Sequence, residues 1–213
     1  MKLIVTRPEH DITTRFISRW SELYFDMARK KSIEICDLKG NKATKKELIG
    51  RLKKLNPELV ILNGHGGDDC IAGHENEVLI RSGENENVLK SRVTYAISCN
   101  SAKVLGNKFK DCDKTAYIGY SDKFIFTLNF NNSTRPLKDE RAKPFMESSN
   151  HVIESLLKGH TAKEASDRSK STFKKNFIKL LSSNSDPDAI QDAQFLWWDM
   201  RHQVCIGNGD KKL

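Results

Sequence analysis

The sequence contains no run of eighteen apolar residues, the length a helix needs to cross a bilayer, so a membrane-spanning protein is not expected. No apolar signal core follows Met1 either, since the chain passes directly into the short run Leu3-Ile4-Val5. A cytoplasmic location is therefore the expectation. The five cysteines, Cys36, Cys70, Cys99, Cys112 and Cys205, never form a C-x-x-C pair. That spacing excludes the usual zinc ribbons and argues against a disulfide framework. Also missing are a G-x-G-x-x-G fingerprint, a Gly-Lys-Ser/Thr phosphate loop, an arginine-rich arm and any internal repeat. The net charge of +8, from 36 basic and 28 acidic residues, is scattered along the chain. Such scatter reads as a solvated surface and argues against a nucleic-acid partner.

What is present is one domain's worth of chain, 213 residues, enough to bury a core without a covalent staple. Leu3-Ile4-Val5 predicts a strand that stops at Arg7-Pro8, because proline cannot continue the pairing. Asp11 then caps a helix whose apolar face carries Ile12, Phe16, Trp20, Leu23, Tyr24 and Met27. Ile33, Ile35 and Leu38 alternate as a second strand, and Thr44 with Glu47 opens a second helix. Leu59-Val60-Ile61-Leu62 is a continuous apolar run, as expected of a parallel strand covered on both faces. Downstream, Val78-Leu79-Ile80 and Val88-Leu89 predict a hairpin, and Val93 to Ile97 another buried strand. Ala102, Leu105 and Phe109 then suggest a short helix, followed by a strand over Ala116-Tyr117-Ile118-Gly119. Residues 131–144 read as an exposed loop and a candidate cleavage segment. Val152 to Leu157 predict a helix ended by Gly159, Thr161 and Glu164 open another, and Gln203 to Gly207 form a final strand. The alternation of strand and helix predicts an α/β fold with a mostly parallel central sheet flanked by helices.

In an open parallel sheet, reactive groups gather beyond the carboxyl ends of the strands. His65 is the third residue past the run ending at Leu62, and Cys99 is the second past Ile97. If the two strands are neighbours, imidazole and thiol leave the same sheet edge. A thiol with its ordinary pKa near ~8.5 is mostly protonated at neutral pH, so a nearby base raises its reactive fraction. A helix after Cys99 would favour the thiolate through its dipole. Gly66 lets a backbone amide approach a substrate carbonyl closely, and with the Cys99 amide it could form an oxyanion hole. Read singly, Cys99 could be a small core residue and His65 a turn histidine.

The segment Leu59-Val60-Ile61-Leu62-Asn63-Gly64-His65-Gly66-Gly67 is followed about thirty residues later by Thr94-Tyr95-Ala96-Ile97-Ser98-Cys99-Asn100-Ser101-Ala102. This pair resembles the signature of caspase-like cysteine peptidases (clan CD): an apolar strand ending in His-Gly, then one ending in a small residue and Cys. Ile118-Gly119-Tyr120, Gly159-x-Thr161-x-x-Glu164-Ala165 and Val204-Cys205-Ile206-Gly207-Asn208-Gly209-Asp210 are similar to features of the gingipain and CHAT branch, so the likeness runs from about Leu3 to Asp210. The resemblance implies a caspase-like three-layer sandwich spanning 1–213 as a single peptidase domain. It implies that Cys99 attacks the scissile carbonyl to give a thioester, that His65 protonates the leaving amine, and that Gly66 lines the oxyanion hole. No metal and no organic cofactor are implied. Arg7 stands where caspases carry an arginine that reads an acidic side chain, and Asp122 could instead read a basic one. Both look like exposed charges, and Asp68 and Asp69 are weaker pocket candidates. Many basic-specific relatives carry an acid two residues before the nucleophile, where this chain has Ile97. Cys70 follows no predicted strand and is a poor rival nucleophile, and His74 reads as a loop residue.

The function expected from this resemblance is a cysteine endopeptidase acting on protein substrates in a prokaryotic regulatory or defence pathway, with an activating protein partner as one means of control. A catalytically inactive adaptor or regulatory subunit of the same fold is the alternative, because fold alone does not guarantee chemistry. A basic nucleic-acid-binding α/β domain is a third reading, which predicts steeply salt-dependent affinity.

Overall fold

The computed structural model describes residues 1–183 and 187–213. The strands are β1 (Lys2–Arg7), β2 (Glu34–Lys39), β3 (Leu59–Asn63), β4 (Cys70–Ala72), β5 (Val78–Arg81), β6 (Val93–Ile97), β7 (Ala116–Tyr120) and β8 (Gln203–Gly207). Six of them form one sheet in the order β2-β1-β3-β6-β7-β8. Pairing is parallel from β2 to β7, and β8 closes the edge antiparallel to β7. The helices are α1 (Ile12–Trp20), α2 (Phe25–Lys30), α3 (Lys45–Leu55), α4 (Lys143–Leu157), α5 (Ala162–Ser183) and α6 (Pro187–His202).

Alternation along each strand divides the apolar residues between two cores. Leu3, Val5, Leu59, Ile61, Tyr95, Ile97, Ile118 and Tyr120 face a layer built from α1, α2, α4, α5 and α6. Ile4, Val60, Leu62, Ala96 and Tyr117 face a thinner layer of α3, the β4-β5 pair and the turns around Leu105 and Phe109. The chain is thus an α/β sandwich with a mostly parallel sheet covered on both faces, as periodicity predicted. The capping expectations hold too: the Asp11 carboxylate accepts from the Thr14 amide, Thr44 caps α3, and Thr161 and Glu164 bond reciprocally.

Two local expectations are corrected, and two further features were not anticipated. Val88 and Leu89 form no strand but part of a 3-10 turn, and β5 pairs antiparallel with Cys70–Ala72 instead. The Asn85 side chain, bonded to the Arg81 amide and the Leu79 carbonyl, turns the chain away after β5. No α-helix follows Cys99: turns lead into a single 3-10 helix at Gly106–Phe109. The 131–144 segment is pinned at its middle, because Pro136 and Asp139 are buried and the Trp20 indole donates to the Pro136 carbonyl at 3.0 Å. Finally, α6 arises where no helix was predicted.

Candidate active site

Parallel pairing aligns β3 with β6 from Leu59 opposite Val93 to Asn63 opposite Ile97. Two residues further on, His65 stands level with Cys99 on neighbouring loops. The ladder continues one step as the Gly64 amide donates to the Ile97 carbonyl at 3.3 Å, and the Ser98 hydroxyl then donates to the His65 carbonyl at 2.9 Å. The two loops touch at Gly66, where an added Cβ would lie 2.2 Å from Ser98 Oγ and 2.4 Å from the Cys99 carbonyl oxygen. Only glycine permits that approach. Among the described residues, the Gly66 amide donates to no protein acceptor.

β1 lies directly beside β3, so the chain leaving β1 enters the same edge. Asp11, the residue that caps α1, uses its two carboxylate oxygens for different purposes. Oδ1 accepts from the Thr14 amide at 2.8 Å, while Oδ2 lies 2.6 Å from Nε2 of His65. Burial works to raise the Asp11 carboxyl, but bonds from the Thr14 amide and the His65 ring outweigh it and hold it below the ordinary carboxylate value. The result is a carboxylate that fixes the orientation of the candidate base.

The Cys99 thiol is half-buried and donates to the Phe124 carbonyl at 3.8 Å. Among the described residues no hydrogen bond joins it to the His65 ring. Burial pushes its pKa up, and the Asp199 carboxyl adds to the rise. Without an α-helix behind Cys99, the dipole expected to favour the thiolate is missing. The 121–129 segment that supplies Phe124 is held by α6. The Trp198 indole donates to the Lys123 carbonyl at 3.1 Å, and Oδ1 of Asp199 accepts the Ile125 amide at 2.9 Å. Asp199 is fully buried, its Oδ2 has no partner among the described residues, and burial pushes its pKa well above the usual range. Ile125 also lines a largely apolar cavity of about 590 Å³ together with Phe177, Gln194, Phe195, Trp197 and Trp198.

Arg7 corrects the expectation of an exposed specificity charge. It is 2% exposed, and its guanidinium forms a two-pronged pair with Asp37 at 2.8 and 2.6 Å. A third nitrogen bonds Glu22 at 2.6 Å and the Ser18 carbonyl at 3.0 Å, and the plane rests over Phe25. Four of its five N–H donors tie β1 to β2, α1 and Glu22. Asp122 is half-buried and stays near the thiol, since its carbonyl accepts the Asn100 amide at 3.0 Å. Its carboxylate accepts the amide of Lys123 at 2.7 Å. Asp69 pairs with Arg81 at 2.6 Å and Asp68 lies 3.6 Å from Lys103. Cys70 opens β4 and so follows no strand, and burial raises its thiol. His74 packs edge-on against His10, with ring centres 5.4 Å apart.

Sequence reasoning found Asp11 as a cap but missed its bond to His65, and it missed Ser98, His10 and Asp199. A signal for Asp11 existed: a carboxylate just past the end of β1 is at the reactive edge if β1 neighbours β3. Comparison with family models finds no match for this chain, and a search of curated proteins finds no relative.

Proposed function

We propose that this protein is a caspase-like cysteine endopeptidase in which Cys99 is the nucleophile and His65 the general base and acid. The observation that carries the reading is the convergence at one sheet edge: His65 level with Cys99, Gly66 against the Cys99 backbone, and a carboxylate on the His65 ring at 2.6 Å. In this mechanism His65 takes the thiol proton, and Sγ forms a bond to the scissile carbonyl carbon. The oxyanion is received by the amides of Gly66 and Cys99. Collapse breaks the C–N bond as His65 returns the proton to the amine, and water then hydrolyses the thioester with His65 as base. Asp11 acts through His65 as a positioning residue. In the resting arrangement the thiol is turned to the Phe124 carbonyl, so it must leave that contact before His65 can take the proton. Binding of a substrate or an activating protein partner would supply that movement.

A panel of fluorogenic peptides incubated with the purified chain tests this reading. Hydrolysis should vanish in Cys99→Ala and His65→Gln, whereas activity surviving Cys99→Ala overturns the mechanism. The raised thiol and its bond to Phe124 favour a second reading, an inactive adaptor of this fold. It predicts a Cys99 that resists iodoacetamide under all conditions in which its partners bind.

A further inference from the structure

Beside the candidate dyad, two imidazoles converge on one carboxylate oxygen. Asp11 Oδ2 lies 2.6 Å from His65 Nε2 and 3.3 Å from His10 Nε2, and the three donor atoms all fall within 4.8 Å of one another. His10 Nε2 is also 3.4 Å from Asn76 Oδ1. The His10 side chain is only 7% exposed, yet its Nδ1 has no partner among the described residues. Two imidazole nitrogens and a carboxylate oxygen gathered this closely offer the mixed donor set of a transition-metal ion.

We propose that His10, Asp11 and His65 form a binding site for a divalent transition-metal ion of the Zn2+ class, and that occupancy switches the peptidase off. Ligands at about 2.0 Å on a tetrahedron stand about 3.3 Å apart. The His10 and Asp11 atoms already have that spacing. His65 must open from 2.6 Å by about 0.7 Å to reach the ~3.3 Å tetrahedral spacing, and its 41% exposed side chain has room to do so. Asn76 Oδ1 or water completes the fourth position. Two imidazoles and one carboxylate select Zn2+, Co2+, Ni2+ or Cu2+ over Mg2+ and Ca2+, which favour all-oxygen shells. None of the five thiols takes part, so the site escapes the cysteine-spacing argument that excluded zinc. The regulatory half of the proposal rests on His65 being the catalytic base, because an ion on Nε2 displaces the proton bonded to Asp11 and leaves the ring's one proton on Nδ1, the nitrogen that must accept from the thiol.

The test is titration of the metal-free protein with Co2+, read by the intense visible bands of tetrahedral cobalt, with Zn2+ competition to follow displacement. One equivalent should bind, and His65→Gln should weaken binding by at least about 10-fold. His65 is half-exposed, so this variant should fold; His10→Gln, checked by circular dichroism, should act likewise. Bands that persist unchanged in His65→Gln overturn the proposal, as does a cobalt-thiolate charge-transfer band that disappears in Cys99→Ser. In the peptidase assay, Zn2+ should inhibit in step with site occupancy. Hydrolysis indifferent to a filled site overturns the regulatory half. Cobalt binding with no hydrolysis by the metal-free protein overturns the peptidase reading and leaves the metal site standing.

Discussion

Replacing Asp11 by asparagine separates two jobs that the native carboxylate performs with its two oxygens. Asparagine caps a helix about as well as aspartate, so the bond to the Thr14 amide and the stability of α1 survive. The charged bond to His65 does not. Hydrogen bonds to charged groups contribute about 1.5–3 kcal/mol, which at ~1.36 kcal/mol per tenfold in rate corresponds to roughly 10- to 150-fold in kcat. Asp11 and His65 are 35% and 41% exposed. Solvent screening therefore places the expected loss near the lower end, about 10-fold. Asp11→Ala removes the cap as well, at about 0.5–2 kcal/mol, which in a chain of this size lowers Tm by about 1–8 °C. Thermal melts and steady-state peptide hydrolysis on both variants provide the assay. Asp11→Asn should keep its Tm within about 1 °C while losing kcat, and Asp11→Ala should lose both. Parental kcat in Asp11→Asn, or identical behaviour of the two variants, would refute the assignment of separate roles to the two oxygens.

Three further outcomes follow from packing and charge. Gly66→Ala should destabilise the fold by about 1–3 kcal/mol, since its Cβ would meet Ser98 Oγ and the Cys99 carbonyl at 2.2 and 2.4 Å; an unchanged urea midpoint contradicts the close approach. Arg7→Ala strands Asp37, while Glu22 keeps Arg19 at 2.9 Å, and should cost about 3 kcal/mol, the low end for breaking a buried pair because Asp37 is partly exposed; a near-neutral urea curve would argue that Arg7 is dispensable to the core. For Asp199, burial raises the folded-state pKa above the unfolded value near ~3.9, so the folded chain binds the proton more tightly. Its favourable contribution is complete below about pH 4 and is lost as pH rises through the folded value. The Tm advantage of Asp199→Asn over the parent should therefore grow from pH 4 upward, and a constant difference would show that the carboxyl does not titrate with folding.

The parts of the fold that could be read from sequence are those where apolar periodicity and burial coincide. β3, β6 and β7 are buried at every position, and their largely apolar runs announced them. His65 and Cys99 were legible for the same reason, because each lies a fixed step past such a run. α6 was hidden: its buried stripe runs through Asp192, Ala193, Leu196 and Asp199, so half of its inward positions are acids, while Trp197 is left outside. Asp192 is tolerated there by its pair with Arg141. Arg7 looked exposed because its partners, Ser18, Glu22 and Asp37, become neighbours only once β2 and α1 pack around β1. The contact between Asp11 and His65, separated by 54 positions, likewise depends on strand order, which local patterning does not encode.

The anchoring of the 121–129 segment by α6 has a consequence for synthesis of the chain. Ile125 and Asp199 are 74 positions apart, so the cover over Cys99 cannot be fastened until α6 has left the ribosome. During that interval the nascent chain already contains both loops of the candidate site and β1, β3 and β6, but the thiol lacks the Phe124 contact in its fastened form. The contact that engages the thiol is thus fastened late in translation, and a chain truncated ahead of α6 would lack the Asp199 bond that holds it.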